Sequence, residues 1–139
     1  MMTAQEILKQ AKPLGVCHRL TGRESTRELM RLVFTPQGIE FCTKHHFPTM
    51  EIFREFKGKE AEGNGIFIDT RTEQHNIERV MLVGDTNATL IYDGAAKRYQ
   101  VVLMHGARAM IKASGYAVVF VTNAGGEVVT DIRDFAMVL

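Results

Sequence analysis

The chain contains no tryptophan, and its 139 residues include only two cysteines and three prolines. Net charge is nearly absent too, because 17 Lys and Arg residues are balanced by 16 Asp and Glu residues. A formal charge of +1 gives no broad electrostatic attraction for nucleic acid, an anionic membrane or an acidic substrate. The two cysteines, Cys17 and Cys42, could form at most one disulfide. A domain of this length does not need that bridge to fold, so we expect reduced thiols.

Long apolar runs are missing as well. The longest, such as residues 117–121, are far below the ~20 residues that span a bilayer. The N-terminal residues show no basic segment followed by an apolar stretch, so they do not resemble a secretory signal. We therefore expect a cytoplasmic protein with no membrane partner. The length suits one domain with its own core.

The composition changes near Gly63. Residues 1–63 hold two of the twelve valines, and residues 64–139 hold the other ten. Valine loses side-chain freedom in a helix and packs well on a pleated sheet. The distribution therefore predicts an α+β protein, with a small helical cap over residues 1–63 and strands over residues 64–139. We expect the two parts to form a single compact unit.

Helix-start signals recur in the first part. Ser25 and Glu28 match a capping box, and Thr35-Pro36 places a cap residue before a proline at the first helical position. Apolar residues follow these signals at helical spacing. The polar stretch over residues 58–65 is typical of a linker or a loop. The pattern predicts four short helices, near residues 4–11, 26–34, 36–44 and 49–57.

An internal repeat runs through the second part. Segments 80–90, 101–111 and 118–128 align without gaps, and a fourth copy begins at residue 137, so the starts are 21, 17 and 19 residues apart. This period is too short for a βαβ unit and suits one rung of a β-solenoid. Matched residues of a solenoid stack in columns. The alignment predicts two inward columns, Val80 with Val101 and Val118, and Leu82 with Leu103 and Phe120.

These columns predict a short parallel β-solenoid of about three and a half rungs over residues 64–139. A right-handed coil is expected, because crossovers between parallel strands are overwhelmingly right-handed. The alternative is an antiparallel β-meander or sandwich, since turn signals such as Asp93-Gly94 would serve hairpins equally well. Residues 66–68 are expected to add a partial first rung, and residues 95–100 an outward loop.

The predicted solenoid has no visible cap at its C-terminal end. A short apolar segment there would leave an open strand edge, which proteins usually cover. Self-association would cover it, so the leading hypothesis is a homo-oligomer. In functional terms this is a non-enzymatic module that assembles with itself or binds another protein, and it needs no cofactor. The candidate residues of the oligomer edge are Met137, Val138 and Leu139.

A helix-turn-helix-like unit over residues 36–57 supports an alternative function. Such units read DNA by placing the second helix in the major groove, with basic and amide side chains on base edges. Glu51 and Glu55 lie on the same short helix and would repel phosphate. A DNA-associated regulator therefore stays an alternative hypothesis. Its candidate contact residues are Thr49, Arg54 and Lys57.

Thiol and imidazole groups suggest a metal site, because zinc is often bound by two Cys and two His. The candidates are Cys17, Cys42, His45 and His46. The spacing of Cys42 and His45 is acceptable, but Cys17 stands directly beside His18 without the usual gap. Cys42 also falls at a core-like helical position, where a free thiol is common. We therefore expect no metal.

His105 is the candidate catalytic residue. The repeat alignment predicts that outward residues line up beside it, and such a side could serve sugar or acyl chemistry. A small carbohydrate- or acyl-group enzyme is therefore a second alternative. No close carboxylate pair and no phosphate-binding loop accompany the histidine. The expected outward columns are Gly84 with His105 and Thr122, and Asn87 with Arg108 and Gly125.

The repeat as a whole resembles those of small β-solenoid proteins. Three blocks also resemble short proteins of gut Bacteroidetes: Gly65-Ile66-Phe67-Ile68-Asp69, Leu82-Val83-Gly84-Asp85-Thr86 and Leu103-Met104-His105-Gly106-Ala107. The first resemblance implies the fold of residues 66–139. Neither resemblance implies an activity or a functional residue, because a fold alone does not give a function.

Overall fold

The structure is a computed structural model, and it describes residues 4–14, 24–94 and 98–139. The chain divides into two compact units, Met1–Asn64 and Gly65–Leu139. This division lies beside Gly63, where the valine content of the sequence changes. The first unit contains the helices and the second contains all of the strands in the described ranges.

Short helices build the first unit. Side-chain caps begin three of them, because the hydroxyls of Ser25, Thr35 and Thr49 each accept a hydrogen bond from a backbone N–H three residues later. Ile7, Ala11, Phe47 and Ile52 form a buried cluster inside this unit. The helices are α1 Ala4–Ala11, α2 Thr26–Leu32, α3 Pro36–His45, α4 Met50–Glu55 and α5 Lys59–Gly63, with a 3₁₀ turn at Lys12–Leu14.

Four of the five helices match predicted ones, with ends that differ by at most two residues. The linker predicted for residues 58–65 was wrong, because Lys59–Gly63 forms α5. Ala61 is the one buried residue of this helix. A helix of five residues with one small buried side chain shows no apolar periodicity, so the sequence pattern could not indicate it.

The second unit is a parallel β-solenoid of roughly three turns. One five-stranded sheet has the order β1-β3-β5-β7-β9, and one four-stranded sheet has the order β2-β4-β6-β8. We call them the odd sheet and the even sheet. Every strand pair is parallel, so the predicted solenoid is confirmed and the antiparallel alternative is wrong. The strands are β1 Ile66–Ile68, β2 Arg71–His75, β3 Arg79–Val83, β4 Asn87–Tyr92, β5 Arg98–Met104, β6 Arg108–Ala113, β7 Val118–Ala124, β8 Glu127–Ile132 and β9 Met137–Val138.

Stacked apolar columns form the core of the solenoid. In the odd sheet Leu82 pairs with Leu103, and in the even sheet Leu90 pairs with Ile111. All four side chains are fully buried in one apolar cluster. Removing apolar surface from water contributes about 25 cal/mol per Å². This burial therefore holds successive turns in register.

The third turn has a different register from the predicted one. Val80 pairs with Val101 as predicted, but Val101 pairs with Val121 and not with Val118. The repeat spacing in the odd sheet is therefore 21 residues and then 20. β7 begins with four consecutive apolar residues, so the apolar pattern alone does not select one register. The gapless alignment therefore predicted the wrong register for β7.

The register shift moves Phe120 out of the predicted leucine column. Phe120 pairs with Gln100, and the guanidinium carbon of Arg98 lies 4.2 Å from the centre of its ring. This is a cation–π contact. Residues 98–100 belong to β5, so the loop predicted for residues 95–100 was wrong there, and residues 95–97 lie outside the described part of the chain. The partial first rung at residues 66–68 is present as β1.

Tyr92 provides a test of core packing. The side chain is fully buried, its ring centre is 4.5 Å from that of Tyr99, and its hydroxyl has no hydrogen-bond partner among the described residues. Burial, and next the neighbouring Tyr99, raises the pKa of this hydroxyl. Because an unpaired buried hydroxyl is unfavourable, Tyr92→Phe should leave the free energy of unfolding unchanged or raise it by about 1 kcal/mol. Urea denaturation measures the change.

Tyr99→Phe is the matched control for Tyr92→Phe. The Tyr99 hydroxyl donates to the Gly94 carbonyl at 3.4 Å, so its removal deletes a hydrogen bond. We expect this control to lose up to about 1 kcal/mol. A larger loss in Tyr92→Phe than in Tyr99→Phe would show that the Tyr92 hydroxyl has a favourable partner.

Candidate functional site

Large apolar side chains are exposed at the C-terminal end of the solenoid. Within the described ranges, all the exposed large apolar residues lie between residues 116 and 139. Concentrated apolar exposure of this kind marks interaction surfaces, whereas single exposed apolar residues are ordinary. We call these residues the terminal apolar set. They are Tyr116, Val129, Ile132, Phe135, Met137 and Leu139.

Position in the stack explains the exposure of Ile132. Tyr92, Ala113 and Ile132 occupy one column of the even sheet, and their exposed fractions are 0%, 1% and 46%. A residue in an inner turn has neighbours on both sides, whereas a residue in the last turn has them on one side only. β8 and β9 are the last strands of their sheets. The last turn therefore shows apolar surface that the inner turns bury.

An aromatic pair fixes part of this surface. The rings of Tyr116 and Phe135 are stacked, with centres 5.2 Å apart and planes 9° apart. Both residues are highly exposed, at 64% and 71%. Stacked aromatic pairs contribute about 0.5–1.5 kcal/mol beyond their buried area. The stack therefore holds Phe135 in a defined position although most of its ring faces solvent.

The backbone of β8 is an open edge. The N–H of Glu127 donates to the Ala107 carbonyl at 2.9 Å, and the N–H of Arg133 donates to the Ala113 carbonyl at 2.8 Å. Backbone groups alternate sides along a strand, so those of Val128, Thr130 and Ile132 face away from β6. The even sheet has no described strand beyond β8. An edge of this kind can pair with a strand from another molecule.

The opposite edge of the even sheet is polar. Arg71, Glu73 and His75 are exposed on β2, and on its inner side the Gln74 amide donates to the Thr72 hydroxyl at 2.8 Å. A shallow depression of about 450 Å³ lies beside this strand. It lacks the mostly apolar walls of small-molecule sites. Its lining residues are Arg71, Thr72, Glu73, Asn87 and Thr89.

A hydrogen-bond network joins two turns near this polar edge. The Asp93 carboxylate accepts from the Asn76 amide at 2.8 Å and lies 2.8 Å from Nε2 of His75. The Asn76 side-chain oxygen accepts from the backbone N–H groups of Asp93 and Gly94, at 3.0 and 3.2 Å. The hydrogen bond from Asn76, and next that from His75, holds the pKa of Asp93 below its usual range. The network therefore links β2 to β4 through charge-assisted hydrogen bonds.

Acid should weaken the solenoid through Asp93. A carboxyl whose pKa is lower in the folded state stabilises the fold above its unfolded pKa, and this contribution disappears as the pH falls through the folded pKa. We expect the urea midpoint to fall as the pH falls below about 4, the ordinary pKa of an aspartate, and to fall less steeply in Asp93→Asn. Parallel denaturation series at each pH measure the difference. Identical pH dependence in both proteins would contradict the assigned role.

His105 has one of its two predicted column neighbours, Gly84, and lacks the other, Thr122. It occupies the turn between β5 and β6 with φ 57°, and it is partly exposed. Gly84 stands at the equivalent turn one rung away, since its N–H donates to the Met104 carbonyl at 3.1 Å. Thr122 is not in this column, because it pairs with Val102 inside β7. The shifted register of the third turn is again the cause.

The second outward column also has a different third member. Asn87 and Arg108 pair as predicted, but Arg108 pairs with Glu127 and not with Gly125. The Glu127 carboxylate lies 3.8 Å from Nε of Arg108. Both side chains are well exposed, so this ion pair contributes little to stability. The column therefore presents opposite charges on the outer face of the even sheet.

The DNA-contact candidates share one short segment. Thr49 is the N-cap of α4, and its hydroxyl accepts from the Ile52 N–H at 3.4 Å. Arg54 lies on α4 and Lys57 in the turn that follows, and both are exposed. α4 has six residues, so it offers less than two turns for a major groove. Thr49 acts as a helix cap in this structure.

The predicted metal ligands fall into different environments. Cys17 lies outside the described residues. Burial raises the pKa of the Cys42 thiol to about 12, which disfavours the thiolate that a metal requires. The ring centre of His45 is 4.9 Å from that of Phe41, and His46 is the exposed C-cap of α3. No group of three metal-ligating side chains occurs in the part of the chain that the structure describes.

The predicted oligomer edge is the last part of the odd sheet. Met137 and Val138 form β9 and pair with Val118 and Val119. The N–H of Leu139 donates to the Val119 carbonyl at 2.8 Å, which extends this pairing by one residue. Sequence reasoning missed the larger part of the terminal apolar set. The signal that could have found it was the apolar content of the last copy of the repeat: Val129, Ile132 and Phe135.

In comparisons with known proteins, no family model, no curated protein and no solved structure matches this chain. Over residues 4–14, 24–94 and 98–139, no helix is long and apolar enough to cross a membrane. The geometry of the solenoid and the chemistry of its two ends are therefore the basis for a functional proposal.

Proposed function

We propose that this chain is a non-enzymatic self-association module, and that its binding surface is the terminal apolar set with the open edge of β8. The observation that carries the proposal is the concentration of exposed large apolar side chains in residues 116–139. A second molecule that pairs with the edge would satisfy backbone groups and cover apolar surface in one step. The alternative is that a different protein with an open strand edge binds this surface. The tests below distinguish that case from self-association.

The surface has to act as a whole. Complete burial of one large apolar side chain contributes about 1.5–3 kcal/mol, whereas association costs about 4–15 kcal/mol in lost freedom of motion. One residue such as Phe135 cannot offset that cost. Several apolar residues together with a row of backbone hydrogen bonds can, and this predicts association in the micromolar range.

Two charged substitutions test the proposal. Phe135→Lys combined with Met137→Lys places two ammonium groups in the proposed interface. Loss of about 3 kcal/mol of apolar burial raises the dissociation constant for self-association roughly a hundredfold. The matched control, Gln5→Lys combined with Gln37→Lys, adds the same charge at exposed helical positions and should leave association unchanged. Sedimentation velocity over a range of concentrations measures both.

Two outcomes would contradict this proposal. One is equal weakening of association in the control and in the Phe135→Lys, Met137→Lys variant, because that would indicate a general effect of charge. The other is a wild-type chain that stays monomeric while it binds a different protein through the same end. Circular dichroism and thermal unfolding of each variant check that the fold is retained.

The DNA-associated alternative has a separate test. It predicts that the chain is retained on heparin at low salt and is released steeply as salt rises. Arg54→Ala and Lys57→Ala should then each reduce the retention. A chain that passes through the column at low salt would count against any DNA contact by residues 36–57.

A further inference from the structure

The two edges of the even sheet have matching geometry. β2 and β8 are its terminal strands, and all of its strands run in the same direction. The N–H groups of Asn76 and Asn87 donate to Ile91 and to Thr70, so the backbone groups of the alternate residues Arg71, Glu73 and His75 face away from β4. β8 likewise directs the backbone groups of alternate residues outward. β2 of a second copy can therefore pair with β8 in the parallel register that the sheet already uses.

The charged side chains in two outward-facing columns of the even sheet favour this pairing. Arg71, Asn87, Arg108 and Glu127 form one column. If the register continues into a second copy, Arg71 of that copy lies beside Glu127. The charges along the joined column then alternate, because Glu127 lies between Arg108 of its own chain and Arg71 of the second copy. Opposite charges on neighbouring strands contribute about 0.2–1 kcal/mol for each pair.

The next outer column consists of Glu73, Thr89, Met110 and Val129, so the same register sets Glu73 of the second copy beside Val129. The outer column after it carries charge again. His75, Ile91, Lys112 and Asp131 form this column. Its continuation places His75 of the second copy, whose Nε2 lies 2.8 Å from Asp93 of its own chain, beside Asp131. On the inner side, Thr130 would lie over Gln74 of the second copy, so polar groups meet polar groups.

One two-fold arrangement of two β8 strands lacks this match. Antiparallel pairing centred on Val129 sets Glu127 opposite Asp131, and like charges directly opposite each other are destabilising. The charge pattern of the even sheet therefore favours the pairing of β8 with β2 over that two-fold arrangement.

We infer that the chain associates head to tail, with β8 of one copy joined to β2 of the next so that the even sheet continues from molecule to molecule. This inference rests on the proposed function and specifies its partner, a second copy presenting the Arg71 edge. A head-to-tail contact uses two different surfaces of each molecule, so it does not close on itself at the dimer. The expected products are open-ended oligomers that lengthen as concentration rises.

Charge reversal at the two ends tests the arrangement. Arg71→Glu and Glu127→Arg should each raise the dissociation constant for self-association about tenfold, because like charges then meet at the joint. An equimolar mixture of the two variants should recover wild-type affinity, since every mixed joint again carries opposite charges. The chain with both reversals should recover it for the same reason. Sedimentation velocity and thermal unfolding measure association and retained folding.

The outcomes separate this inference from the proposed function. Recovery in the mixture and in the doubly reversed chain supports the head-to-tail joint. A wild-type chain that associates but is unaffected by Arg71→Glu overturns the inference and leaves the proposed function standing. Weakened single variants that do not recover on mixing overturn it as well. A wild-type chain that does not associate overturns both.

Discussion

Leu103→Ala is expected to lower the free energy of unfolding of the solenoid by about 3 kcal/mol. The side chain is fully buried in the middle strand of the odd sheet, and it lies between Leu82 and Asn123 of the neighbouring strands. Hydrogen bonds to strands on both sides hold the backbone, so the surrounding residues cannot collapse into the cavity. The loss therefore includes the transfer free energy of the deleted atoms and the cost of the remaining cavity.

Urea denaturation, followed by circular dichroism, measures this loss. Lys112→Ala is the matched control in the even sheet, because Lys112 is exposed and makes no core contact. We expect the control to change the free energy of unfolding by less than about 0.5 kcal/mol. Comparable losses in the two variants would mean that Leu103 is not in the core of the solenoid.

Gly126→Ala should also destabilise the solenoid, by about 2 kcal/mol. A Cβ at this position would collide with the Ala107 carbonyl and would lie 3.0 Å from Cβ of Leu103. The carbonyl cannot move freely, because it accepts the N–H of Glu127 at 2.9 Å. The Asn123 side chain also holds both backbone groups of Gly126, at 2.7 and 3.0 Å. Relief of the collision therefore has to disturb the start of β8.

Gly63→Ala is the control with the opposite expected sign. No atom lies within 4 Å of the position that its Cβ would take, and Gly63 ends helix α5. Alanine restricts the unfolded chain and favours helix, so the free energy of unfolding of this region should rise by about 0.5 kcal/mol. Hydrogen exchange resolves the two regions separately. Equal destabilisation by both substitutions would contradict the steric reason given for Gly126.

Much of the fold could be predicted because it depends on features that repeat along the sequence. The valine content separates the helical unit from the strands. The match between residues 80–90 and residues 101–111 gave the pairing of β3 with β5 and of β4 with β6. Helix caps at Ser25 and Thr35 placed two helices to within two residues. Each of these signals is local or exactly spaced, so one sequence is enough to detect it.

The errors arose where local pattern does not determine structure. β2 consists of Arg, Thr, Glu, Gln and His, so it has no apolar alternation, and its pairing with β4 makes it a strand. The run of apolar residues at the start of β7 fits several registers, and packing selects the one that pairs Val121 with Val101. Helix α5 is too short to show a period. Tertiary contacts decide all three.

The sequence predicted only part of the candidate site, because tertiary contacts also determine which of its side chains are exposed. Met137, Val138 and Leu139 stood out as a truncated copy of the repeat. Ile132 did not, because the equivalent positions in earlier turns, Tyr92 and Ala113, are buried. Exposure of Ile132 depends on its place in the last turn and not on the residues around it in the chain.

Sedimentation velocity of the unmodified chain tests the central claim most directly. A head-to-tail module predicts that the weight-average sedimentation coefficient rises continuously, and beyond that of a dimer, between about 1 and about 100 µM. Phe135→Lys with Met137→Lys should move the rise to roughly hundredfold higher concentrations. A single species of 15.6 kDa at every concentration would contradict the account.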